Sequence, residues 1–261
     1  MNAVQAKYKL PNVIAGVDGC HIPFLEKPRK IPVGRNPKAF INRKGIYSIN
    51  SQIVGGIDRR IYDIQLGAPG SYHDAAVWQL SQTKAWFETS FPRRMILGDS
   101  AYALSTVLLT PYPEDQSRVD DNKCLFNIRH SGARVEMTEN IYGMLKRRFP
   151  LVKNTRVELP NAVKVTAAAA VLHNMALDWA DEMPMDDHPN YQHVPDDPVE
   201  EDQAVDEAMF INQLNPPQRR AHAAQARDRY RAMMDPVPTA RELEKMALHR
   251  AQAEVRRRAR R

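Results

Sequence analysis

Four acidic residues stand in short contexts that could do chemistry together: Asp18 in "GVDGC", Asp74 in "SYHDAAV", Asp99 in "LGDSAY" and Glu139 in "TENIYG". Burying an unpaired carboxylate is costly, so such a residue needs either a polar partner or a cation at an open strand end. Two aspartates from strand ends and a glutamate from a helix make an oxygen-only donor set. That set suits Mg²⁺ or Mn²⁺, which keep several waters and accept phosphate oxygens as ligands. Its chemistry is phosphodiester hydrolysis or transfer, one ion activating a water or a 3′-hydroxyl while a second stabilises the leaving oxygen. Singly, each acid has an ordinary structural reading. Asp18 before Gly19 suits a turn, Asp74 a helix cap, and Glu136 or Glu139 a solvated helix face. The chemistry therefore depends on three elements converging.

The elements that must bring them together can be read from spacing. Val13 to Val17 forms a short apolar strand ending at "DGCHIPF", which places Asp18 at a strand terminus and lets Pro23 stop regular pairing. A long basic loop follows, and then "IYSINSQIVGGI" and "RIYDIQLG" alternate as two strands of a hairpin turning near Gly55 to Asp58. Helical spacing through Val77, Leu80, Ala85 and Trp86 puts Asp74 at or near a helix N-terminus. "RRMILGDSAY" supplies a further strand with Asp99 at its C-terminal end, where open α/β sheets place ligands. Leu104 to Asn127 reads as turn-rich. Helix returns at "ARVEMTENIYGMLKRRFP" with Val135, Ile141, Leu145 and Phe149 on one face, and again after Pro160, with Val163, Ala167, Val171 and Met175 four apart. His173 in that last helix reads as a hydrogen-bonded core residue.

Composition bounds the whole. The 261 residues are 43% hydrophobic and 7% aromatic, ordinary for one principal soluble domain with appendages. No run approaches the roughly 20 consecutive apolar residues of a membrane span, and the N-terminus lacks a secretory apolar core. Two cysteines, Cys20 and Cys124, make neither a disulfide framework nor a zinc set, so a reducing intracellular setting is expected. The net charge of +6 is segregated: residues 1–180 carry 24 Lys/Arg against 15 Asp/Glu, residues 181–207 carry 11 acids and no Lys or Arg, and residues 208–261 carry 13 against 5. Three parts are expected: a nuclease-like body over 1–180, an acidic Pro-rich linker over 181–214 that is too polar to order itself, and a basic helical tail over 215–261. The tail reads as a solvated, charge-laced helix, and its terminal "RRRARR" suits nuclear import or phosphate contact.

The strings "GVDGCHIPF", "FINRKGIYSINSQIVG", "APGSYHDAAVW", "LGDSAYALSTVLLTPY", "ENIYGMLKRRFP" and "AAAAVLHNMAL", in this order over about residues 12–178, resemble the DDE domain of PIF/Harbinger-type transposases and the nuclease-like proteins domesticated from them. The resemblance implies an α/β, RNase H-like mixed sheet flanked by helices, with the C-terminal extension outside it. It implies DNA as substrate, Mg²⁺ or Mn²⁺ as cofactor, a nuclear setting and, in some systems, a Myb-like DNA-binding partner. Motif by motif it assigns catalytic roles to Asp18, Asp99 and Glu139, with Asp74 as a further metal ligand. Glu139 is chosen over Glu136 by counting back four positions from Gly143. His21 and His73 could assist near the metal. Arg129, Arg134, Lys146, Arg147 and Arg148 are candidates for phosphate contact. Family members generally carry a helix-turn-helix before the "DG" strand, whereas about a dozen residues precede it here, so borrowed targeting is expected. The competing function is a catalytically idle DNA- or protein-binding module on the same fold.

Overall fold

The computed structural model describes residues 3–28, 31, 36–91, 93–181 and 217–259. Its centre is a five-stranded mixed sheet of β1 (Val13–Pro23), β2 (Ser48–Gly55), β3 (Ile61–Pro69), β4 (Met95–Leu97) and β5 (Leu108–Leu109), in the order β3-β2-β1-β4-β5. β2 pairs antiparallel with β3, as the hairpin spacing predicts, and β1 pairs antiparallel with the other edge of β2. β4 joins β1 in parallel, and β5 joins β4 likewise. Alternation sends Ile49 and Ile53 to one face and Val54 to the other, and helices cover both, so β2 is buried along its whole length. This is the mixed α/β sheet flanked by helices that the resemblance implies.

β1 runs on past its expected end. "GCHI" has weak strand preference alone, but Ser48–Gln52 offer it an unbroken ladder, and pairing continues to Pro23. Asp18 thus lies within β1, opposite Ile53, and not at its terminus. The parallel rungs between β1 and β4 nevertheless stop at Gly16 and Leu97. Asp18 and Asp99 therefore each stand two residues beyond the last rung, Asp18 still within β1 and Asp99 past the end of β4.

The helices are α1 (Ala3–Tyr8), α2 (Asp74–Gln79), α3 (Gln82–Ser90), α4 (Glu114–Val119), α5 (Asp121–Met137), α6 (Glu139–Arg148), α7 (Pro150–Lys153), α8 (Leu159–Asp178), α9 (Pro217–Ala232) and α10 (Ala240–Ala259). Where one helix was expected after Asp74 there are two. The Ser81 hydroxyl accepts from Thr83 N at 3.1 Å and starts α3 afresh, leaving Leu80 and Trp86 exposed. The turn-rich reading of Leu104 to Asn127 also needs correction, because the Asp120 carboxylate caps Asn122 N at 2.9 Å and Lys123 N at 3.1 Å and opens the long α5. In α8 the face turned inward is Ala162, Thr166, Ala169, Ala170, His173 and Ala176, while Val171 and Met175 are exposed. Small side chains let α8 lie close on the sheet, and the buried His173 meets the Arg59 carbonyl through Nε2 at 2.9 Å while its Nδ1 has no hydrogen-bond partner.

The acidic stretch 181–214 lies outside the described residues except for Asp181, and the side chains of "RRRARR" lie outside them too. The rest of the tail departs from the solvated reading. Tyr230 of α9 and Met234 just after it join Val4, Leu10, Phe126 and Met137 in one apolar cluster, and Met246 of α10 packs with Cys124 and Leu125. The Arg227 guanidinium lies 3.9 Å from the Tyr112 ring centroid. Only scattered apolar residues mark this face, which is why it reads as solvated in one dimension. Among the described residues no helix is long and apolar enough to cross a membrane.

Candidate active site

Asp18 faces the junction of α5 and α6. There the chain breaks at Thr138, whose hydroxyl donates to the Arg134 carbonyl at 2.8 Å and lies 3.4 Å from Asp18 Oδ2. The junction sits close on the sheet: a Cβ on Gly55 would overlap the Met137 carbonyl, and one on Gly16 would crowd Thr138. The break also parts the two glutamates. Glu136, in α5, accepts from Lys7 at 2.6 Å and from Tyr8 at 2.5 Å, tied to α1. Glu139, the first residue of α6, is turned toward Asp18.

Arg134 joins them. Its Nη1 donates to Asp18 Oδ2 at 2.9 Å and its Nη2 to Glu139 Oε1 at 2.7 Å, in a side chain only 16% exposed. Asp74, at the start of α2, comes down over β1 where Gly19 has no Cβ to meet it. Asn50 of β2 donates its amide to Asp74 Oδ1 at 2.5 Å and to the Tyr72 carbonyl at 2.9 Å. Gln52 donates to the Asp74 carbonyl and to the Tyr102 hydroxyl, both at 2.9 Å. Asp99 accepts from Ala101 N at 2.9 Å.

The acids feel one another. Burial, then the charges of Asp99, Asp74 and Glu139, push Asp18 up to about 7 against the lowering influence of Arg134. Asp99 is raised by burial, restrained by the Ala101 N–H and by Arg134. Burial opposes the charge on Arg134, but Asp18, Glu139 and Asp99 outweigh it and raise its pKa. Tyr102, buried and close to Asp74, Asp18 and Asp99, is raised well above the phenol range.

An all-oxygen donor set of this kind fits a hard divalent cation. Two further observations agree: the buried Asn50 Oδ1, beside Asp74, has no hydrogen-bond partner, and a cationic guanidinium already stands between Asp18 and Glu139. Among the described residues no three Asp, Glu, His or Cys side chains are gathered into a ready cage. Arg134 bridges Asp18 and Glu139.

The other candidates disperse. Arg129 is buried with its Nε 2.8 Å from Glu242 Oε1, which takes it out of the set free to meet phosphate. Lys146 Nζ lies 2.6 Å from Cys20 Sγ, Arg148 pairs with Asp181, and Arg147 is exposed. His21 Nδ1 meets Ser48 Oγ at 3.1 Å, and His73 is the residue before α2. Asn50, Gln52, Tyr102 and Thr138 were not anticipated as parts of the site. The signal for two of them was available: the amides Asn50 and Gln52 stand two apart, on one face of a strand flanked by Ile49, Ile53 and Val54.

Residues 17–174, which include all four acids, match the family described as DDE superfamily endonuclease. The mouse protein named "Putative nuclease HARBI1" is 29% identical over 185 residues, 67% of this chain and 50% of the relative. Its human namesake is 28% identical over 217 residues, 78% of this chain and 59% of the relative. The "Protein ALP1-like" of Arabidopsis thaliana is 26% identical over 212 residues, 72% and 50%. The chain thus spans about half the length of the curated relatives it matches. No solved structure matches.

Proposed function

The chain belongs to the DDE superfamily endonuclease family, and from that premise we propose that it is a transposase-derived nuclease that cuts DNA phosphodiester bonds with Mg²⁺ or Mn²⁺. The observation that carries this reading is the placing of Asp18 and Asp99 at equivalent positions beyond the last parallel rung of β1 and β4, with Glu139 linked to Asp18 through Arg134. Asp18, Asp99 and Glu139 would hold the metal, with Asp74 as a further ligand. Divalent ions bound there supply Lewis-acid polarisation of the phosphate and a nucleophile at neutral pH. The chain's own residues set the geometry. β1 carries Asp18, the turn after β4 carries Asp99, Asn50 fixes the Asp74 carboxylate, and the Thr138 break aims Glu139 inward. A nuclear setting and a Myb-like partner that supplies the target site complete the proposal.

The test is plasmid nicking by the purified chain with Mg²⁺ or Mn²⁺ beside an Asp99→Asn variant. Metal-dependent nicking lost in that variant is expected. A folded chain that binds DNA but nicks nothing with either metal would move the protein to the second reading, an idle binding module, which the neutralisation of Asp18 and Glu139 by Arg134 favours.

A further inference from the structure

Arg134 reaches the site from the last turn of α5 and spans Asp18 and Glu139 at 2.9 and 2.7 Å. The two ends of its fork are thereby used, one on each acid, and the pair it joins is the one a shared divalent ion would need. Such an ion holds carboxylate oxygens about 2.0–2.1 Å from a single centre. A guanidinium instead bridges them in its own plane, each at hydrogen-bond distance from a different nitrogen. The two arrangements cannot coexist in the space between Asp18 and Glu139.

Resting on the reading of these acids as metal ligands, we propose that Arg134 is the resident counter-cation of the site: it holds Asp18 and Glu139 together in the metal-free protein, and a divalent ion binds only by displacing it. Arg134 is then a positioning residue with two consequences. It offsets the mutual repulsion of four neighbouring carboxylates while metal is absent. It also sets the metal concentration at which the site loads, because every binding event must break two charge-assisted hydrogen bonds. The Arg134 main chain is held by Thr138, so the exchange needs only rotation of a long side chain.

The experiment titrates the full chain with Mn²⁺, following free ion by electron paramagnetic resonance, and measures the thermal midpoint in chelator. Arg134→Gln should bind Mn²⁺ at least about tenfold more tightly than the wild type, melt lower in chelator and show the larger rise in midpoint on adding Mn²⁺. Arg134→Lys should fall between the two, since an ammonium lacks the fork that spans two carboxylates, and it carries the test if the glutamine variant does not fold. Lys146→Gln removes a charge that is held by Cys20 and touches neither acid, and should change Mn²⁺ affinity less than about threefold. A purely structural role for Arg134 gives lower stability with unchanged or weaker Mn²⁺ binding, which overturns the proposal. So does a Lys146→Gln effect equal to that of Arg134→Gln. Asp99→Asn separates this failure from the broader one: if it abolishes Mn²⁺ binding by the wild-type background, the metal-site reading stands whatever the Arg134 variants do. If no chain binds Mn²⁺, that reading fails and the exchange fails with it.

Discussion

Asn50 illustrates how much one buried amide can decide. It is 1% exposed, and both groups its amide nitrogen meets, Asp74 Oδ1 and the Tyr72 carbonyl, are acceptors, which fixes the amide orientation. Asn50→Ala should remove the amide that orients the Asp74 carboxylate and lower metal-dependent nicking by about 10–100-fold, as loss of an outer partner of a metal ligand does. Retained nicking would remove Asn50 from the site. His130 offers a residue-scale test that needs no metal. It is buried against the Leu109 carbonyl at 3.0 Å, and burial lowers its pKa from 6.5 to about 4. The fold therefore favours neutral imidazole. Stability is whole above pH 6.5, declines as the unfolded chain takes up its proton below that, and has lost this contribution once the pH passes below about 4. The loss is on the order of 3 kcal/mol. Denaturant unfolding at pH 7 and pH 4.5 should show His130→Gln to be less pH-sensitive than the wild type.

At the scale of elements, the α5–α6 junction governs the site. A single straight helix would carry Glu136 and Glu139 on neighbouring faces. The break at Thr138 sends one to α1 and the other to Asp18. Gly55 permits this by letting the Met137 carbonyl come down on β2. Gly55→Ala should push the junction off the sheet and cost about 1–3 kcal/mol in denaturant midpoints. Because the displaced element carries Arg134 and Glu139, nicking should fall as well. Full activity at wild-type stability would show that the junction tolerates a wider seat.

Across the whole molecule, the tail helices belong to the body. Arg129, with its side chain 1% exposed, depends on Glu242 of α10 and on the carbonyls of Asp235 and Val237 for its partners. Glu242→Ala leaves a buried cation poorly compensated and should destabilise the protein by about 3 kcal/mol. Deleting residues 217–261 removes Tyr230 and Met234 from the cluster around Phe126 and should lower the melting temperature further. A truncated chain that melts like the full one would show the docking to be energetically idle. The basic tail thus supplies packing and ion-pair partners to the body.

Much of this architecture is legible in the amino-acid order, because its signals are local. Two-residue alternation marks β2 and β3, a glycine-rich turn joins them, and apolar runs followed by "DG" and "GDS" place two aspartates at strand positions. The family resemblance, carried motif by motif, is what assigns the four acids. What the tertiary structure decided lies between residues far apart in the chain. The 18–134 ion pair, the capture of Glu136 by α1, the support of Asp74 by Asn50 and the docking of Tyr230 on Phe126 each depend on packing at long sequence separation. Arg134 reads locally as one more basic helix residue. Only when β1 brings Asp18 against the α5–α6 break does its charge acquire two carboxylates and a burial that make it the cation of the site.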